Sequence, residues 1–120
     1  MKWATASVVA SWCLVAVPAS GQLVRNPTAV LFTCPDHARD TDHEIDIVRE
    51  SDGAVMQTIL GGDPPEVNGE VVVVMNVQPI AYGAYRVVVR AVAGVFTSDN
   101  SDPSPLWERT PAQPTIVRAQ

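Results

Sequence analysis

Carboxylates and imidazoles crowd one short stretch of this 120-residue chain: Asp36-His37, Asp40, Asp42-His43-Glu44 and Asp46. Such a density is the raw material of a divalent-cation site, because calcium takes clustered oxygens and zinc takes imidazole with carboxylate. Asp40, Asp42 and Glu44 are the candidate ligands. No glycine turn here matches a calcium loop, however, and Asp42, Glu44 and Asp46 share one strand face only if that strand begins early. The expectation is therefore a solvated acidic loop, with no bound metal and no cofactor.

Nucleophilic chemistry has less to work with. His37 and His43 are the only histidines, and no serine sits in a Gly-x-Ser-x-Gly elbow. Gly61-Gly62 lacks the lysine and the strand-to-helix setting of a phosphate loop. We read the chain as non-catalytic, with a small hydrolase as the least favoured alternative. Binding has better candidates: Trp107, beside Leu106 near the edge of a last strand, and Tyr82. Such side chains stack on sugar rings or fill a partner's pocket, although Trp107 also suits packing into a sandwich margin. The expected partner is another protein or, alternatively, a polysaccharide bound through Trp107. A net charge of −5 repels phosphate backbones and argues against nucleic acid.

What must position these residues begins after a leader. Met1-Lys2 precedes an apolar run from Trp3 to Val17, and Pro18-Ala19-Ser20-Gly21 supplies small residues for a signal peptidase. Residues 1–21 are read as a signal-peptide helix, with cleavage open after Ala19 or after Gly21 and the second favoured, which leaves Gln22 first. The run is shorter than the ~20 residues of a spanning helix, so no stable membrane insertion is expected after cleavage. Trp12 before Cys13 argues against a lipid-modified cysteine. The mature chain is then secreted, to the periplasm or the extracellular space, and retains Cys34. That residue alternates with Val30 and Phe32 and reads as a small buried apolar side chain.

Residues 22–111 read as seven strands without a helix. The segments are Leu23–Pro27, Ala29–Cys34, Glu44–Glu50, Ala54–Leu60, Glu70–Val77, Tyr85–Val92 and Leu106–Thr110. Asp52-Gly53 marks a tight hairpin turn, Asn68-Gly69 another, and Gly61 to Pro65 a break. Gly94 to Pro105 reads as loop. Ile45 and Ile47 share a face. In the clearest strand Tyr85, Val87, Val89 and Ala91 alternate with Arg86, Val88 and Arg90, as a half-buried strand requires. Val73, Met75 and Val77 are placed inward, leaving Val72 and Val74 outside, to be covered by a partner or by the tail from Pro114 to Val117. Seven such strands need two packed sheets, and the length favours a sandwich over a barrel. Residues 112–120 form a proline-containing tail.

The final third resembles a fibronectin type III domain. Val77-Gln78-Pro79 supplies the apolar residue two before a proline, and Tyr85-Arg86-Val87-Val88-Val89-Arg90-Ala91 the Y-x-V-x-V-x-A strand. Ser101-Asp102-Pro103-Ser104 supplies the S-x-P-S loop, and Thr110 stands near the expected end of the last strand. Two features depart from the pattern. The gap between Pro79 and Tyr85 is long, which brings in Tyr82 as a rival corner residue, and Phe32 and Ile45 stand where the family often has tryptophan and tyrosine. The resemblance implies a seven-stranded antiparallel immunoglobulin-like sandwich. It also implies that Tyr85 opens its strand with a hydroxyl bond back to the chain, while Val87 and Val89 fill the layer between the sheets.

Overall fold

The computed structural model describes residues 23–35, 37, 40–115 and 118–120, and the backbone of 5–9. These residues are all β, in two sheets. The strands are β1 (Thr5–Val9), β2 (Val24–Arg25), β3 (Ala29–Thr33), β4 (Asp42–Arg49), β5 (Val55–Gly62), β6 (Glu66–Val67), β7 (Glu70–Val74), β8 (Gly83–Ala93), β9 (Phe96–Thr97) and β10 (Trp107–Arg109). One sheet runs β1-β3-β7-β6. The other runs β2-β10-β8-β4-β5, with β9 hairpinned onto β8. No described helix is long and apolar enough to cross a membrane.

The count exceeds the seven expected by three, because β6 and β9 are additional two-residue pieces and because β1 lies inside the expected leader. Thr5–Val9 is extended and antiparallel to β3, from Thr5 opposite Thr33 to Val9 opposite Ala29. This differs from the helix expected there. Its physical basis is plain: β3 would otherwise present a free ladder edge, and a Thr-Ala-Ser-Val-Val segment suits an added strand. The rest of the leader, with Cys13 and the Gly21-Gln22 junction, lies outside the described residues, as do Asp36 and Val117.

Alternation places the core. Along β8, Tyr85, Val87, Val89 and Ala91 are buried, while Arg86, Val88, Arg90 and Val92 are half-buried on the other face. Opposite them Val30, Phe32, Val71 and Val73 point inward, and Met75 and Val77 continue the same layer beyond β7. Ile45 and Ile47 enter from β4, and Cys34 closes the layer beyond β3. On the outer face Val72 packs against Ala29 and Leu31, but Val74 is 80 % exposed. The described residues of the tail, 112–115 and 118–120, are exposed and do not cover it.

Turn chemistry follows composition with one revision. Asn68 and Gly69 both take positive φ (53° and 80°), the two-residue turn that joins β6 to β7. At Asp52-Gly53 only Gly53 is left-handed (φ 72°), and Arg49 pairs with Ala54, so Glu50 to Gly53 form a longer connection. Asp52 holds it by accepting the Ala54 amide at 3.1 Å and both arms of the Arg49 guanidinium at 2.9 and 2.6 Å. Tyr85, rather than Tyr82, is the corner tyrosine: its hydroxyl donates to the Ala81 carbonyl at 2.6 Å.

The stretch read as loop from Gly94 to Pro105 is ordered against β8. It begins with the β8–β9 hairpin and continues as three serines spaced by three. Ser98, Ser101 and Ser104 donate their amides to the carbonyls of Ala91, Val89 and Val87. Their hydroxyls in turn accept the amides of those same residues, at 2.8–2.9 Å. The chain advances three residues for every two of β8, so no backbone carbonyl falls opposite these amides, and each hydroxyl supplies the missing acceptor.

Candidate functional site

The acidic stripe is resolved by register. Strand β4 does begin early, at Asp42, so Asp42, Glu44 and Asp46 lie on one face, opposite Val92, Arg90 and Val88 of β8. Arg90 sits between the carboxylates, donating to Asp46 at 2.7 Å and to Glu44 at 3.1 Å, and Thr58 of β5 adds a 2.7 Å bond to Asp46. Glu44 and Asp46 are thus held by a guanidinium rather than gathered round a common ion. Asp40 and Asp42 remain exposed. The three candidate ligands do not converge.

Burial pushes the Asp46 carboxyl up, but the hydrogen bonds from Arg90 and Thr58 and the charge of Arg90 outweigh it, and the net shift is downward. A carboxylate whose folded pKa lies below its unfolded value stabilises the fold fully above the unfolded value, ~3.9, and loses that contribution as pH falls through the folded one. Asp52 behaves alike: the Arg49 hydrogen bond and the Ala54 amide hold it at about 2. Asp46→Asn should therefore reduce the dependence of stability on pH on the acid side of pH 4 without abolishing it, since Asp52 still titrates there. Urea unfolding midpoints measured from pH 6 to pH 2 check this. An unchanged acid limb would show that Asp46 is not held down.

What does converge is a different trio. His37, in the β3–β4 connection, His43, near the start of β4, and Asp63, just after β5, bring one potential ligand atom each to within 4.8 Å of the others. His43 is buried, with its ring centroid 4.9 Å from Phe32 and 5.7 Å from His37, and the two imidazoles are stacked at 27°. Asp63 was missing from the sequence-based cluster because only the β4–β5 hairpin, which pairs His43 with Gly62, brings it near.

The aromatic candidates separate. Trp107 is 0 % exposed, so the expectation that it offers a ring face to a sugar or a partner is corrected. Strand β10 is not an edge: it pairs with β8 on one side and, in parallel, with β2 on the other, which drives the indole onto Tyr85 with centroids 5.1 Å apart. Tyr82 is exposed, with the Arg109 guanidinium 5.1 Å over its ring. That guanidinium is itself committed, donating to the carbonyls of Val77 and Thr110 and to the Asn26 side chain. Beside it lies a shallow groove of about 250 Å³ between Pro27, Met75 and Gln78. The groove gathers no nucleophile with a base.

Exposed apolar side chains gather elsewhere. At the β8–β9 turn, Val95 is 91 % and Phe96 76 % exposed. The turn is made by Gly94 in a left-handed conformation (φ 63°). Leu60 and Val55 lie exposed on β5, the terminal strand of its sheet among the described residues. His43 pairs with Ala91, two residues before the end of β8, so the histidine trio and the Val95-Phe96 tip share one end of the sandwich. The sequence signal for the tip was Gly94 followed by two large apolar residues inside a presumed loop. Comparisons of the chain with protein-family models, with curated proteins and with solved structures find no match.

Proposed function

We propose that the chain is a secreted, non-catalytic interaction module with a fibronectin type III-like sandwich, which engages another protein through the Val95-Phe96 tip. Several observations support the fold part of this reading. The strand pattern sets β3 and β7 in one sheet against β5-β4-β8-β10 in the other. The Tyr85 corner bond joins it, together with the clasp of Ser101 and Ser104 on β8. The apolar leader supports export, and its removal would leave β3 at the edge of its sheet.

The observation that carries the interaction reading is the exposure of Phe96. A phenyl ring held in water on the first residue of β9, beside the hairpin turn, forgoes roughly 2 kcal/mol of burial free energy, which a partner surface can recover. Anchors of this type, aromatic and presented on a preformed element, dominate protein interfaces.

The test is site-specific photocrosslinking in the producing cells. A photoreactive phenylalanine analogue at position 96 should give a discrete adduct with one protein. The same analogue at position 66, an exposed site on the other sheet, should not, and Val95→Ser should weaken the adduct at 96. No adduct at 96, or equal adducts at both positions, would remove the reading.

A further inference from the structure

We propose that His37, His43 and Asp63 form a zinc-class divalent metal site. It stands apart from the interaction reading and rests on two buried ring nitrogens that make no hydrogen bond among the described residues. His43 is 1 % exposed, and a buried imidazole ordinarily finds partners for both nitrogens. Its Nδ1 lies 2.9 Å from the Gly62 carbonyl. A carbonyl only accepts, so Nδ1 carries the ring proton and Nε2 keeps a lone pair. That Nε2 is buried and meets no hydrogen-bond partner among the described residues. His37 is similar: its Nδ1 is buried and makes no hydrogen bond among the described residues, although Asp63 Oδ1 lies only 3.1 Å away.

Distances and chemistry agree on the occupant. Two ligand atoms bound at ~2.0–2.1 Å to one tetrahedral ion stand about 3.3 Å apart. The His37–Asp63 pair is already at that spacing, and the whole trio falls within 4.8 Å. Closing the remainder asks for small torsions in two side chains carried on connections rather than on strands. Two imidazoles and one carboxylate suit zinc and its transition-metal neighbours and not calcium, which wants oxygens alone. The Gly62 carbonyl would act as the outer partner that fixes a metal-binding histidine's tautomer and orientation. Three protein ligands leave a fourth position, open to water or to a side chain from outside. The ion would tie the β3–β4 connection and the exit of β5 to β4, at the end of the sandwich that carries Val95 and Phe96.

The chain has two histidines, and both belong to this trio, so any imidazole-dependent metal binding must report on it. The experiment takes the full chain stripped with a chelator and titrates zinc and calcium in turn, reading calorimetric uptake and the thermal midpoint. Zinc should bind at one equivalent and raise the midpoint with concentration, and calcium should do neither. His37→Gln and Asp63→Asn alter connection residues and should keep the β circular dichroism while weakening zinc by more than about tenfold. His43→Gln disturbs the core, so the other two variants decide. No zinc uptake by the parent chain, undiminished affinity in both variants, or a calcium response equal to that of zinc would each overturn the site.

Discussion

Trp107→Ala is expected to lower the unfolding free energy by about 3–5 kcal/mol, the range for removing a buried tryptophan and leaving a cavity. The indole is wholly buried on a three-residue strand and stacks on Tyr85, so its loss also loosens the residue whose hydroxyl ties the corner to Ala81. A domain of this size holds only ~5–15 kcal/mol in total, and each kcal/mol moves the midpoint by roughly 4–8 °C. A fall of more than about 12 °C should therefore be seen. Trp107→Phe should cost much less. The Trp107 Nε1 is buried without a hydrogen-bond partner among the described residues, and phenylalanine removes that donor while keeping an aromatic ring against Tyr85. Thermal unfolding followed by far-ultraviolet circular dichroism gives both values. A loss below about 1 kcal/mol for the alanine variant would contradict the core position of Trp107.

The contrast between Trp107 and β8 shows where sequence reasoning holds. Tyr85 to Ala91 was legible because a strand buried on one face must alternate, and Arg86 and Arg90 on the off-beat leave one solution for which face is inside. Val71 to Val74 was legible by continuity with Met75 and Val77, which fixes the phase of an otherwise ambiguous apolar run. Trp107 sits on a strand too short to have a phase. Its burial depends on β2 arriving in parallel from eighty residues upstream, and two residues of strand leave no pattern to find.

The candidate site divided in the same way. The hairpin at Gly53 was visible, but the ladder that places His43 opposite Gly62 carries two register irregularities, at His43/Glu44 and at Ile47/Val48. Counted on ideal pairing from the four-residue connection Glu50 to Gly53, His43 would face Leu60, and the two irregularities carry it on to Gly62, next to Asp63. Arg90 reads as an exposed strand residue until the β4–β8 register sets it between Glu44 and Asp46. Pairing across sequence distance, rather than local propensity, decided each of these.

The serine clasp yields the second large effect. Ser101→Ala combined with Ser104→Ala should cost about 2–6 kcal/mol, because each substitution strands a buried valine amide and an unsatisfied buried donor costs about 1–3 kcal/mol. Serine suits the position for a geometric reason. Its hydroxyl reaches the opposing amide in place of an absent carbonyl and still donates onward, to the carbonyls of Asp102 and Pro105 at 2.9 Å. Pro103, between Ser101 and Ser104, and Pro105, just after them, lack an amide hydrogen without breaking any of the serine bonds to β8. The effect should be graded along the chain. Ser104 and Ser101 are buried and should dominate, whereas Ser98→Ala, at a half-buried site beside the exposed tip, should cost under about 1 kcal/mol, since water can reach the Ala91 amide. Hydrogen exchange supplies the local readout: the Val87 amide should lose protection in Ser104→Ala, and the Val89 amide in Ser101→Ala, beyond what the global destabilisation explains. If both amides kept their protection and the double variant unfolded with the parent, the hydroxyls would not be the acceptors, and the rise of three against two along β8 would need another source of cohesion.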